Sequence, residues 1–172
     1  MLDDSMNPFK VFCDFDSKTN ATWTLVQSYQ FRYYNKFRTP YFQNSPVNEE
    51  TPCWDEYRLS KSRTQSIQDD FVKFRITCKY DTDGVVYTDY LQGAKKQIDI
   101  LTYQIEYSYQ WRCKFVDYIN VGEQNCSKCT AAILYANPET PYNTSTPSVV
   151  TIRQEHVHFV QEVVLDVITV VT

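Results

Sequence analysis

The sequence predicts an α+β domain, mainly antiparallel β-sheet with one or two short helices. Three observations point there. Apolar and polar residues alternate with period two along most of the chain, turn-forming residues separate the alternating stretches, and only one segment has helical character. Strict alternation turns one set of side chains to a core and the other to water. The 172 residues are 42% hydrophobic, with 3 Trp, 14 Tyr and 10 Phe. That suffices for one domain with its own core and is too apolar for a disordered acidic chain.

Taken in order, the first strands are expected at residues 10–16 and 22–29. A short helix is expected at residues 60–68, where Ser60 or Ser62 can cap it by accepting from the exposed backbone N–H groups. Across residues 71–80, Val72, Phe74, Ile76, Cys78 and Tyr80 alternate with Lys73, Arg75, Thr77 and Lys79, which predicts a strand with the first set inward. Asp81-Thr82-Asp83-Gly84 follows, then Val85-Val86-Tyr87-Thr88-Asp89-Tyr90. Asp-Gly between two such runs signals a tight hairpin, because Gly tolerates the positive φ that the turn needs. The longest alternation is Tyr103, Ile105, Tyr107, Tyr109, Trp111, Cys113 and Phe115. Pro138, Pro141 and Pro147 among Thr, Ser and Asn mark a linker. The three-part division expected is therefore a core at 7–133, a Pro/Thr-rich linker at 134–148 and a Val-rich, β-prone tail at 149–172. Such a tail is a strand if it finds a partner and an aggregation-prone edge if it does not.

Composition excludes several functions. Lys and Arg total 17 against 21 Asp and Glu, a net charge of −4 with no basic run. Nucleic-acid binding is not expected, because phosphate contacts need clustered cations. The three glycines, Gly84, Gly93 and Gly122, are too far apart for a phosphate-binding loop or a dinucleotide fingerprint. No apolar run reaches the roughly 18 residues of a membrane-spanning helix. Residues 1–5, Met-Leu-Asp-Asp-Ser, lack the basic and apolar regions of a signal peptide. Six cysteines argue nonetheless for an oxidising compartment. The expectation that reconciles the two is a secreted protein whose true N-terminus has been removed or misassigned. Three Asn-x-Ser/Thr sequons make Asn20, Asn125 and Asn143 glycosylation candidates.

Cys13, Cys53, Cys78, Cys113, Cys126 and Cys129 are the disulfide candidates. Cys126-Ser127-Lys128-Cys129 admits three chemistries. A redox motif needs a strand-to-helix turn in a βαβ unit, which no surrounding pattern supplies. A zinc site would use Cys113, Cys126, Cys129 and His156 or His158, but one Cys-x-x-Cys is half of such a site. Structural disulfides are favoured. Cysteines three apart usually take different partners, so the leading bridge joins Cys113 to Cys126 or Cys129. His156 and His158 share a strand face without a third ligand, and Asp81-Thr82-Asp83-Gly84 places its glycine too early for a calcium-binding loop. No catalytic, cofactor or metal residues are nominated, because two histidines in the tail leave no base for a nucleophile. Tyr29, Phe31, Tyr33, Tyr34, Phe37, Tyr41 and Phe42 crowd a stretch that also holds Arg32, Lys36 and Arg38. Tyr and Arg are favoured at recognition surfaces, and the competing reading is a β-domain core with a solvated cationic edge.

Two stretches together resemble the fibrinogen-like domain, in a divergent invertebrate form. Phe9-Lys10-Val11-Phe12-Cys13-Asp14-Phe15-Asp16 followed by Trp23-Thr24-Leu25-Val26-Gln27-Ser28 is similar to the family's Val-aromatic-Cys-Asp, turn, Trp-Thr-x-hydrophobic-Gln opening. Tyr57-Arg58-Leu59-Ser60, Ile67, Phe74-Arg75-Ile76 and Tyr87-Thr88-Asp89-Tyr90 resemble its Trp-Leu-Gly, short helix, Leu-Arg-Val strand and following aromatic strand. The likeness covers roughly residues 7–105, with 113–130 resembling divergent relatives. It implies a structural, hydrogen-bonding role for Asp14. The family's upstream partner for Cys13 is absent, Lys18-Thr19-Asn20-Ala21-Thr22 stands where it has a Gly run, and nothing after Thr130 matches its calcium loop or ligand region. The resemblance therefore implies a partial fibrinogen-like scaffold without the family's ligand site. The function expected is a secreted, non-catalytic, lectin-like recognition module. Its partner would be an extracellular protein or glycan, with no cofactor. The alternative is an extracellular structural or adhesive protein without a small-ligand pocket.

Overall fold

The computed structural model describes residues 1, 7–16, 21–37, 39, 43–51, 53–68, 72–78, 83–85, 87–99, 112–121, 124–135, 150–154, 157–163 and 167–171. Within them the protein is mainly antiparallel β-sheet with a single short α-helix. The strands are β1 (Cys13–Asp16), β2 (Ala21–Tyr29), β3 (Glu56–Arg58), β4 (Lys73–Thr77), β5 (Tyr90–Ala94), β6 (Arg112–Val121), β7 (Gln124–Tyr135), β8 (Val150–Gln154), β9 (Val157–Val163) and β10 (Val167–Val171). They form one sheet in the order β1-β2-β10-β4-β5-β6-β7-β8-β9, and β3 also pairs with β2. A 3-10 helix spans Phe31–Phe37 and α1 spans Lys61–Gln68.

The second strand and the helix fall where the sequence predicts them, and the first is shorter than expected, beginning at Cys13 rather than Lys10. Ser60 rather than Ser62 opens α1. Its carbonyl accepts from the Thr64 N–H at 2.9 Å, the first bond of the helix. The leading amides are covered from outside: Glu49 Oε2 accepts from Ser60 N at 2.7 Å and Asn44 Oδ1 from Lys61 N at 3.0 Å. An unsatisfied helix N-terminus thus finds two side-chain acceptors from the preceding loop. Thr64 and Ile67, three residues apart on one helical face, are buried.

The core lies on one face of the central strands. Phe74 pairs with Gly93, Ile76 with Leu91, and Leu91 with Ile119. Phe74, Ile76, Leu91 and Ile119 are buried with Tyr57, Leu59 and Ile67. Gly93 is needed there: a Cβ would meet two carbons of the Phe74 ring at 2.9 Å. The opposite face departs from the alternation reading. Arg75 and Thr77, expected in water, are 2% and 0% exposed, while Val72, expected inside, is 59% exposed. Val72 lies just before β4. Arg75 is enclosed because Trp23 and Asp14, on β2 and β1, receive its guanidinium.

The tight hairpin at Asp83-Gly84 is also corrected. Gly84 does take a positive φ of 67°, but β5 begins only at Tyr90, which pairs with Thr77. Ahead of β5, the Tyr87 ring lies against Tyr90 and Tyr118, and the Tyr87 carbonyl accepts from Asn120. Of the long alternation through Phe115, residues 101–111 lie outside the described residues; β6 takes up the strand, but Phe115, expected inside, is 39% exposed and its neighbour Val116 is buried instead. Residues 134 and 135, read as the start of the linker, belong to β7, whose Tyr135 pairs with Val150. The rest of the linker lies outside the described residues.

The Val-rich tail finds partners. β8 pairs with β7 and β9 with β8. The chain then returns to the middle of the sheet, where β10 pairs with β2 on one side and β4 on the other. Val170, for example, stands opposite Thr24 and Phe74. The register with β2 slips by one residue between Ile168 and Thr169.

Candidate functional site

The Tyr- and Arg-rich stretch divides into core and surface. Tyr29, at the end of β2, stacks on Phe37, at the end of the 3-10 helix, with ring centroids 4.6 Å apart, and both are buried. This stack anchors the helix on the sheet. In a 3-10 helix, residues three apart lie above one another, which puts Tyr33 and Lys36 on one ridge. Lys36 Nζ lies 5.3 Å from the Tyr33 ring centroid, and the Arg32 guanidinium lies 4.7 Å from it. The side chains of Arg32 and Lys36 are 63% and 57% exposed.

Acids at the β3 entrance pair with both cations. Asp55 accepts from Gln30 Nε2 at 2.7 Å and from Arg32 Nη2 at 3.3 Å, while Glu56 pairs with Lys36. The Gln30 N–H also bonds the Asp55 carbonyl. Exposed ion pairs of this kind add little stability, about 0–1 kcal/mol each. Their effect is orientation: two exposed cations are kept close to one half-buried tyrosine ring. Such a surface offers apolar contact area, cation–π attraction and charged donors together. Phe31 and Tyr34 lie on the same helix, and Arg38, Tyr41 and Phe42 lie outside the described residues.

The cysteines fall differently from the predicted pairing. Cys126 and Cys129 are bonded to each other, with Cα atoms 6.2 Å apart. Neither is therefore left for Cys113, which stands opposite Ala132 in the β6–β7 ladder. An extended strand would hold residues three apart at about 10 Å. The chain shortens that span at Lys128, whose φ of 50° lies in the left-handed region. The ladder keeps its register across the bend, with Ile119 opposite Cys126 and Val116 opposite Cys129. The redox motif's strand-to-helix turn is not what surrounds them: both cysteines lie within β7. Cys13 and Cys53 are exposed thiols, and Cys78 is half-buried. Among the described residues no group of three or more His, Cys, Asp or Glu could hold a metal ion. His158 lies in β9, whereas His156 lies outside the described residues.

Asp14 accepts from Arg75 Nη2 at 2.7 Å, and the same guanidinium sits 4.4 Å from the Trp23 ring centroid. On β3, opposite Ser28 of β2, Tyr57 is fully buried, and its hydroxyl has no hydrogen-bond partner among the described residues. Burial pushes that phenol well above its ordinary pKa; Arg63 lowers it, while Glu49 and Cys13 raise it further. A second aromatic group was not legible from spacing: Tyr87, Tyr90 and Tyr118 meet across β5, β6 and the preceding loop, with centroids 4.9 to 6.0 Å apart. Only strand register brings Tyr118 beside the other two. Of the glycosylation candidates, Asn125 is exposed on β7, and Asn20 and Asn143 lie outside the described residues.

No family model, curated protein or solved structure matches the chain.

Proposed function

We propose that this protein is a secreted, non-catalytic recognition module of the fibrinogen-like class, which contacts an extracellular protein or glycan through Arg32, Tyr33 and Lys36. The observation that carries the reading is the Tyr33 ring with two exposed cations within 5.3 Å of its centroid, each paired at its charged end with an acid of the β3 entrance. The fibrinogen-like class rests on the sequence resemblance, whose two stretches meet at the Asp14–Arg75 bond. Among the described residues no helix is long and apolar enough to cross a membrane.

The test is a tagged chain, expressed behind a secretory leader and presented as a multivalent probe. It is applied to cultured animal cells and to immobilised collagen, fibronectin and heparan sulfate. Saturable binding is expected, insensitive to EDTA and weakened at least about tenfold by Arg32→Ala/Tyr33→Ala/Lys36→Ala, since hot-spot truncations cost about 1–2 kcal/mol or more. Equal binding by the triple variant would show that the surface is wrong. No binding to any of these probes would overturn the recognition reading.

A further inference from the structure

We infer that Asn125 is an N-glycosylation site whose glycan packs on the tyrosine cluster of Tyr87 and Tyr118. The inference rests on the secretory reading above. Asn125-Cys126-Ser127 is a sequon. On β7 its acceptor and its hydroxyl residue are two apart, so both side chains leave the same face of the sheet, and both are exposed. Asn125 also sits at the hairpin tip, one residue beyond the closing pair Val121 and Gln124.

Register places aromatic surface beside it. Asn125 stands opposite Asn120, and Ser127 stands opposite Tyr118. Directly opposed side chains lie about 5 Å apart and diagonal ones about 7–8 Å apart. Asn125 is thus the diagonal neighbour of Tyr118. Tyr118 in turn meets Tyr87 at 5.7 Å, ring planes at 90°. Asn120 Nδ2 donates to the Tyr87 carbonyl, which fixes that loop over the strand pair. Tyr87 is a large apolar side chain left 59% exposed. A sugar attached to Asn125 reaches this ring with its C–H face, and apolar contact with an aromatic ring is favourable.

The covalent step takes a lipid-linked oligosaccharide as donor, with a membrane-bound transferase as catalyst. Asn125 Nδ2 forms a bond to the C1 carbon of the first sugar as the bond from that carbon to the lipid pyrophosphate oxygen breaks. The pyrophosphate leaves with the electron pair, and Nδ2 gives up one proton.

The experiment expresses the full chain behind a secretory leader in animal cells and maps glycopeptides on both exported and retained protein. Export and occupancy are read separately. Asn125 is expected to be glycosylated in the majority of molecules. Compared with Asn125→Gln, the glycosylated protein is expected to melt about 2–4 °C higher, the shift that a contact of moderate strength gives in a domain of this size. That difference is expected to vanish in the Tyr87→Ala background. A bare Asn125 in both pools overturns the inference, even where the protein is exported normally. Equal melting with and without the glycan, or a difference that survives Tyr87→Ala, overturns the packing on the tyrosines. Failure to export a glycosylated, folded chain counts against the secretory reading alone.

Discussion

Arg75 reaches Asp14 across 61 residues of sequence, donating at 2.7 Å from a side chain that is only 3% exposed to a carboxylate that is 32% exposed. The guanidinium lies at the same time over the indole of Trp23. Three strands that are not all neighbours, β1, β2 and β4, are thereby tied on one face of the sheet, with β10 passing between β2 and β4.

The asymmetry of that pair predicts unequal costs. Asp14→Ala takes the carboxylate from a buried guanidinium that keeps its place over Trp23, and the loss of a hydrogen bond between charged groups costs about 1.5–3 kcal/mol. Arg75→Leu leaves only a partly hydrated carboxylate and is expected to cost less. The double variant Asp14→Ala/Arg75→Leu is expected to be more stable than Asp14→Ala alone. Urea unfolding followed by tryptophan fluorescence measures all three, and a double variant less stable than Asp14→Ala would contradict the account.

The C-terminal strand is expected to be indispensable. Removing residues 167–172 strips β2 and β4 of the strand that both bond. Total stabilities of domains are only about 5–15 kcal/mol, so loss of a central strand is expected to abolish cooperative unfolding and the fixed tryptophan environment. A retained sharp transition, measured by denaturant titration, would mean that β2 and β4 can pair without β10.

Tyr57 gives a pH signature. Its phenol has a higher pKa folded than unfolded because burial penalises the phenolate. The stability it contributes is therefore complete below pH about 10, the unfolded value, and is lost as the pH rises above it. Tyr57→Phe removes that part of the alkaline decline. At neutral pH the same change is expected to alter stability by no more than about 1 kcal/mol, because the hydroxyl has no partner among the described residues to lose. Unfolding curves at pH 7 and pH 10.5 for both proteins decide it; identical alkaline slopes would refute the assignment.

Thiol accessibility should separate the cysteines. Alkylation of the folded protein followed by peptide mapping is expected to label Cys13 and Cys53, both exposed, and to recover the peptide with Cys126 and Cys129 bridged. Recovery of a bridge from Cys113 to either of the last two would restore the pairing expected from spacing.

The sequence by itself determined the elements whose pattern is local. Alternation around Phe74 and Ile76, the run from Trp23 to Tyr29, and Ser60 before a helical stretch each encode one segment through backbone preference and side-chain periodicity, and β4, β2 and α1 follow. Other features depend on which segment lies next to which. Arg75 reads as a solvent-facing residue until Trp23 and Asp14 are brought to it. The tail reads as a strand in need of a partner, and only the fold supplies one, between β2 and β4. Cys126 and Cys129 read as seeking separate partners until Lys128 bends the strand. At the candidate surface, spacing could supply Arg32, Tyr33 and Lys36 as a group, but not the acids Asp55 and Glu56 that hold them, nor the burial of Tyr29 and Phe37. Periodicity records which side of its own strand a residue occupies. It carries no information about the neighbouring strand, and strand order and register, set by burial across the whole sheet, decided the rest.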